Sequence, residues 1–208
     1  MVVKQIVIWL FLVLAEMVLL AVFISPEYAM KQINDERLSV YETLGSEQLK
    51  TIDERTERMY GQYIIDWGVR DWVYEIYMPK YMTQKSANHE KNEEFRGVMS
   101  KRLEGLFRSI YSLVQRISIL AAWTPFALLI LLPSLIDGYN KRKIKTYTYG
   151  YTSPVRYSAA YQLTIGAFMV LPAYVALPVT LPAWLPMIWA IFTGLTMNLL
   201  FSNIQKQL

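Results

Sequence analysis

The sequence contains no cysteine and a single histidine, His89. Without cysteine no disulfide can brace an extracytoplasmic segment, and with one histidine a protein-built zinc site has almost no ligands to draw on. His89 stands in Ser86-Ala87-Asn88-His89-Glu90-Lys91-Asn92, a polar stretch in which an isolated imidazole is ordinarily inert. No Gly-rich phosphate-cradling loop and no Gly-x-Ser-x-Gly elbow occurs. Charge is also scarce, at 18% of residues against 54% hydrophobic, well under the usual share for a soluble domain. The most informative absence is local: from Tyr157 to Gln205 there is no Asp, Glu, Lys or Arg.

Segregation of this kind is what a bilayer imposes. Three apolar stretches stand out: Gln5–Ile24, interrupted only by Glu16; Ile117–Ile136, with no charge; and Tyr157–Phe201, 45 residues without a charge. A bilayer core of about 30 Å takes about 20 helical residues, so the last stretch is too long for one crossing. Pro178, Pro182 and Pro186 fall near its middle. Proline removes a backbone donor and restricts the residue before it, so a hairpin is expected there. The expected crossings are then four: Gln5–Ile24, Ile117–Ile136, Tyr157–Leu177 and Leu185–Phe201. The first reads as an uncleaved anchor, because its apolar core is longer than a usual signal peptide's and no small-x-small site follows. This gives an all-α integral membrane protein with four transmembrane helices and a helical extracytoplasmic segment between spans one and two. Its parts are an anchor over 1–25, the segment 26–116, and a three-span domain over 117–208 with a basic loop at 137–156.

Lysine and arginine in short loops mark the cytoplasmic side. The loop holds Lys141, Arg142, Lys143, Lys145 and Arg156 against one acid, Asp137. It is therefore expected in the cytoplasm of a bacterial inner membrane, with both termini on that side. Residues 25–116 carry 14 basic and 15 acidic residues, a balance suited to the outside. The basic loop is a topology signal here, and no direct contact with nucleic acid is expected.

The outer segment reads as helical. Phe95, Met99, Leu103, Leu106, Ile110, Leu113 and Ile117 recur at steps of three and four and pass into the second span without a breaker. Upstream, Asn34–Tyr77 is helix-compatible, with Gly45, Gly61 and Gly68 as weak points. Trp67–Tyr81 is dense in aromatics, suited either to the headgroup level of the outer membrane surface or to a small helical core. Met82–Glu94 is polar and reads as a loop.

Candidate chemistry is thin, and no enzymatic activity, metal or cofactor is expected. Carboxylates such as Asp53, Glu54 and Glu57 share a helix surface with Arg55 and Arg58, which is ordinary for a solvated face. Glu16 lies near the middle of the first span, where an ionised side chain costs about 3 kcal/mol or more. It must be neutral, paired or turned toward protein, either as a relay or as a hydrogen bond between helices. In the basic loop, Asp137-Gly138 reads as the end of the second helix, Arg142 follows, and Ser153-Pro154 opens the third as N-cap and first helical residue. The spacing from Asp137-Gly138 to Arg142 invites comparison with the CDP-alcohol phosphatidyltransferases. Those enzymes need further aspartates downstream to hold metal ions, and Asp137 is the only aspartate of this region.

A closer resemblance lies in the same half of the chain. Trp123-Thr124-Pro125-Phe126, Leu132-Pro133-Ser134-Leu135-Ile136-Asp137-Gly138, Lys141-Arg142-Lys143-Ile144 and Tyr149-Gly150-Tyr151-Thr152-Ser153-Pro154-Val155-Arg156-Tyr157 together resemble the integrating-conjugative-element membrane protein family. Leu177-Pro178-Val179 and Asn203-Ile204-Gln205-Lys206 fit it as well. The resemblance is close over the C-terminal half and one of layout before it. Family members are encoded among conjugative type IV secretion genes, often near the coupling ATPase. The resemblance thus implies a part in DNA transfer between cells and implies no reaction. It points to an accessory or scaffold subunit whose partners are the coupling ATPase or other membrane subunits of the secretion system. Self-association and lipid contact are compatible with it, and an entry-exclusion protein is the alternative. Asp137, Gly138, Arg142, Ser153, Pro154 and Arg156 are the candidate partner or structural positions, and Glu16 is the intramembrane polar one.

The cysteine-free background makes the topology directly testable. Single cysteines at Ser46 and Ser86 should react with an impermeant thiol reagent in intact spheroplasts, and Tyr147→Cys should react only once the membrane is opened. Labelling of Tyr147→Cys in sealed cells would overturn the four-span arrangement.

Overall fold

The computed structural model describes residues 25–77, 89–148 and 153–204, the side chains of 89–95 excepted. Among them all regular structure is helical. Ser25 caps the first helix, α1 (Pro26–Leu44): its hydroxyl accepts from the Tyr28 amide at 3.2 Å, and Pro26 occupies the first turn, where its missing N–H costs nothing. Gly45 ends α1, and α2 (Ser46–Tyr60) follows directly. A π-helical turn over Gly61–Asp66 leads to Gly68 and then α3 (Val69–Tyr77). The three glycines named as weak points are thus the three interruptions. Gly45 at φ 85° and Gly68 at φ 68° lie in the left-handed region that a Cβ disfavours.

One helix, α4, runs unbroken from His89 to Tyr147, 59 residues with Pro125 and Pro133 inside it. The helix expected around Phe95–Leu113 thus continues into the apolar stretch Ile117–Ile136 without a break. Two boundaries differ from expectation. The helix starts within the stretch read as a loop, where Glu90, Lys91, Glu93 and Glu94 are adequate helix formers. It also does not end at Asp137-Gly138 but continues through Lys141, Arg142 and Lys143. Its buried face is rotated too. Leu103, Phe107, Gln115, Ile119 and Trp123 are inside, whereas Ile117 is 42% exposed.

The uncharged run divides as its prolines require, into α5 (Pro154–Ala176) and α6 (Leu185–Ser202). Ser153 caps α5, its hydroxyl accepting from the Arg156 amide at 3.4 Å. Three helices among the described residues are long and apolar enough to cross a membrane: α4 within Arg96–Tyr147, α5 and α6. Their outward residues are apolar; Leu129 is 73% exposed, Leu195 61% and Ile188 54%. Contiguous apolar surface of this extent marks a lipid- or protein-facing wall. The expected anchor Gln5–Ile24, with Glu16, lies outside the described residues.

Two compact units result. One contains the described residues up to Ile119 together with Val175–Pro182; the other contains Leu120–Tyr174 and the chain from Ala183 onward. In the first, α1 buries Ala29, Gln32, Ile33, Glu36 and Val40, one stripe at helical spacing. Hydrogen bonds from Arg108 to the Pro26 carbonyl and from Gln115 to the Ile33 carbonyl advance together along α1 and α4, so the two run parallel. Arg55 to the Ser118 carbonyl and Tyr60 against Tyr111 place α2 antiparallel to them. Of the aromatic segment, Tyr74 stacks on Phe107 at 5.7 Å. Trp67 is 71% exposed and Trp72 63%, so within residues 67–77 one ring packs on α4 while both tryptophans are at the surface.

The Gly45 geometry gives a stability test. With φ 85° and ψ 173°, a side chain there is strained by about 1–3 kcal/mol. Gly45→Ala should lower the thermal unfolding midpoint. Gly61, in ordinary helical geometry with nothing within 4 Å of a Cβ, should accept alanine without loss.

Candidate functional site

Two side-chain clusters carry the polar chemistry, one in each unit. The first is built around Arg116, near the middle of α4, and Glu36, on the buried face of α1. Both side chains are 1% exposed. The Arg116 Nη2 donates to Glu36 Oε1 at 2.6 Å, and Nε donates to the same carboxylate at 3.0 and 3.3 Å. Guanidinium and carboxylate thus meet side by side, the strong arrangement for this pair.

The rest of the guanidinium faces main chain. Nη1 donates to the carbonyls of Val175, at 3.3 Å, and Leu177; Nη2 also donates to that of Val179. Why these carbonyls are free follows from the sequence. The last carbonyls of a helix have no intrahelical donors, and the prolines of the segment that follows supply none. Arg116 therefore serves as a cationic cap on the end of α5, where the helix dipole also favours positive charge. Around it, Gln32 donates to the Val179 carbonyl at 3.5 Å and to Glu36 at 3.4 Å, and Tyr28 donates to the Pro178 carbonyl at 3.1 Å. The Leu181 amide donates to Glu36 at 3.4 Å. One ion pair thereby ties α1, α4 and the proline hairpin together.

Sequence reasoning had Glu36 on an unremarked helix and Arg116 as the last charge before a span. A signal was present: Glu36 falls on the stripe Ala29, Ile33, Val40, where a charge needs a partner. The partner lies 80 positions away, beyond the reach of any local pattern.

The second cluster contains Asp137 and Gly138. A Cβ added to Gly138 would lie 2.9 Å from the Asn198 carbonyl oxygen and 3.1 Å from Phe201 Cβ. The glycine is therefore no helix terminator; it lets α4 and α6 cross in backbone contact. Gly194 makes room from the other helix, since a Cβ there would lie 2.9 Å from Ser134 Oγ, and small residues allow such close approach between apolar helices. Of the other small residues in the uncharged run, Ala160 and Ala167 are buried, while Gly166 has nothing near it. Asn198 Nδ2 donates to Asp137 at 2.7 Å and to the Ser134 carbonyl at 2.9 Å. Lys141 Nζ is 2.6 Å from Asp137, and Lys145 donates to the Ser202 carbonyl at 3.0 Å, capping α6.

For Asp137, Arg142 and Arg156, near two helix ends, the sequence suggests either ion pairing where spans two and three meet or docking of a cytoplasmic partner. Asp137 is bonded to Lys141 and Asn198, because α4 continues and presents residues 134, 137, 138, 141 and 145 as one face to α6. Arg142 is partly buried and Arg156 exposed. Ser153 and Pro154 act as the start of α5. Among the described residues no three His, Cys, Asp or Glu side chains gather as metal ligands.

The chain matches a family model over residues 24–205, described as IncC plasmid conjugative DNA transfer protein DtrJ-like. No curated relative matches the chain. No solved structure matches it either.

Both clusters predict the outcome of substitution. Arg116→Ala leaves the buried Glu36 carboxylate without its counter-ion and the Val175 and Leu177 carbonyls without the donor they meet here, and should destabilise the fold by about 3–5 kcal/mol. Arg116→Lys, with one point charge in place of a planar fork, should recover only part of that loss. Gly138→Leu should separate α4 from α6 and lower the melting temperature, while Gly166→Leu should not. Equal tolerance of leucine at both glycines, read by thermal unfolding in detergent, would remove the close crossing.

Proposed function

This chain belongs to the DtrJ-like family of conjugative DNA transfer proteins, and from its part in conjugative DNA transfer we propose that it acts as a non-enzymatic accessory or scaffold subunit of the type IV secretion machinery. It is held in the bacterial inner membrane by four spans, with both termini in the cytoplasm. The observation that carries this reading is the division of labour among its residues. The buried charged and amide side chains Gln32, Glu36 and Arg116 are engaged in holding the chain's own helices and hairpin. Large apolar side chains such as Leu129, Ile188 and Leu195 on the long helices, and the aromatics Trp67 and Trp72, are left exposed. Such a molecule is equipped to bind other proteins.

The proline hairpin supports the topology. Val175–Pro182 falls in the same unit as α1, α2 and α3, as it must if segment and hairpin share the extracytoplasmic side. The basic residues 141–145 then lie at the opposite ends of the spans, in accordance with the positive-inside rule. The partner fitted to the transmembrane walls is the membrane region of the coupling ATPase, with self-association as a second mode. The exposed Trp67 and Trp72 favour one other reading, an entry-exclusion protein that contacts an incoming partner through its outer segment.

Gene deletion separates the two. Loss from the donor should reduce transfer sharply and loss from the recipient should have no effect, and the tagged protein purified in detergent should bring the coupling ATPase with it. A normal donor phenotype together with lost exclusion in the recipient would reject the scaffold role.

A further inference from the structure

The outer segment contains a cleft of about 360 Å³ that the helix-holding contacts do not use. Its floor is aromatic. Tyr74 and Phe107 lie stacked, and Tyr60 meets Tyr111 edge to face at 5.4 Å. Burial pushes the Tyr60 hydroxyl above its usual pKa, so it remains a neutral donor. Three arginines from three different helices, Arg37, Arg70 and Arg108, stand around this floor, with Glu104 the one acid of the lining.

Two of the three are neutralised. Arg37 is 2.5 Å from Asp53 and Arg108 is 2.6 Å from Glu104. The guanidinium of Arg70 lies 5.8 Å over the Tyr74 ring and has no carboxylate partner among the described residues. A cation held over an aromatic face, beside two further arginines that already have counter-ions, leaves a place for one more anion. The size is right for one or two side chains and sits at the low end for ligand pockets, which run from about 300 Å³.

We propose that this cleft binds a short segment of another polypeptide, an acidic residue pairing with Arg70 and a neighbouring aromatic or aliphatic side chain lying on Tyr74 and Phe107. Charge complementarity sets the acid, and the ring floor sets its neighbour. Tyrosine hydroxyls at the floor suit a polypeptide, with its amides and side chains, better than an acyl chain. The site lies in the outer segment and stands independently of which secretion subunit the transmembrane helices bind.

The test uses the full chain in lipid nanodiscs, with a displayed library of random octapeptides as probe and empty nanodiscs as counter-selection. Enriched peptides should carry Asp or Glu next to Phe, Tyr, Trp or Leu. Their affinity should fall about tenfold or more with Arg70→Gln, the loss of one charge-assisted contact, and should be unchanged by Lys50→Gln on exposed α2. Arg70 is exposed, so Arg70→Gln should keep its helical circular dichroism. A second variant, Tyr74→Leu, should weaken peptides bearing an aromatic more than those bearing leucine. No enrichment over empty nanodiscs, enrichment without an acidic residue, or equal binding to folded Arg70→Gln would each overturn the proposal. So would displacement of the selected peptides by phosphatidylglycerol vesicles, which would assign the cleft to lipid.

Discussion

A guanidinium has five N–H donors and no acceptor, and it does not lose its charge in a protein. Once buried, each of those donors has to meet an oxygen, or the fold bears the full desolvation penalty. At Arg116 the oxygens come from Glu36 on α1 and from the carbonyls of Val175, Leu177 and Val179. Those carbonyls are free only because a helix ends there and proline follows. The requirement is therefore mutual. The hairpin needs a donor set that its own prolines cannot supply, and the arginine needs acceptors that an apolar helix surface does not offer.

The two units follow from this constraint by different routes. In the first unit polar groups are buried in pairs, so α1 and α2 are fixed on α4 by a few directed bonds and a narrow apolar stripe. Between α4 and α6 the contact is of another kind, with Gly138 against the Asn198 backbone, Gly194 against the Ser134 and Ile130 side chains, and one asparagine bridging Ser134 and Asp137. Close packing and hydrogen bonds are what join apolar helices where a lipid surround would give no hydrophobic incentive to associate. A single helix, α4, serves both regimes, Arg116 in the first and Gly138 in the second. The aromatic cleft belongs to the first regime, and in it Arg70 stands over Tyr74 without a carboxylate partner among the described residues.

Much of this was legible from local chemistry. The three glycines in 45–68 marked every break between α1 and α3, because position-specific backbone freedom is a property of one residue. The prolines divided the uncharged run, and Ser153-Pro154 announced α5, for the same reason. What was not legible depended on distance or on partner. Asp137-Gly138 looks like a helix terminator in sequence, and only the approach of Asn198 shows the glycine to be a contact point. The buried face of α4 was misjudged by counting apolar residues alone, since Gln115 and Arg116 are inside while Ile117 is exposed. An arginine just before an apolar run is usually a topology signal, and nothing within ten residues tells it from one that is buried.

The account stands on the energetic coupling between Glu36 and Arg116. A double-mutant cycle with Glu36→Gln and Arg116→Met, read as unfolding free energy of the full chain in lipid or detergent, isolates that coupling from the cost of each substitution alone. For a buried, doubly bonded pair the cycle should return a coupling of about 2 kcal/mol or more, with the double variant closer to wild type than the sum of the singles predicts. Additive effects, with coupling near zero, would mean that the pair is not formed in the folded protein and that something else holds the hairpin to the outer helices.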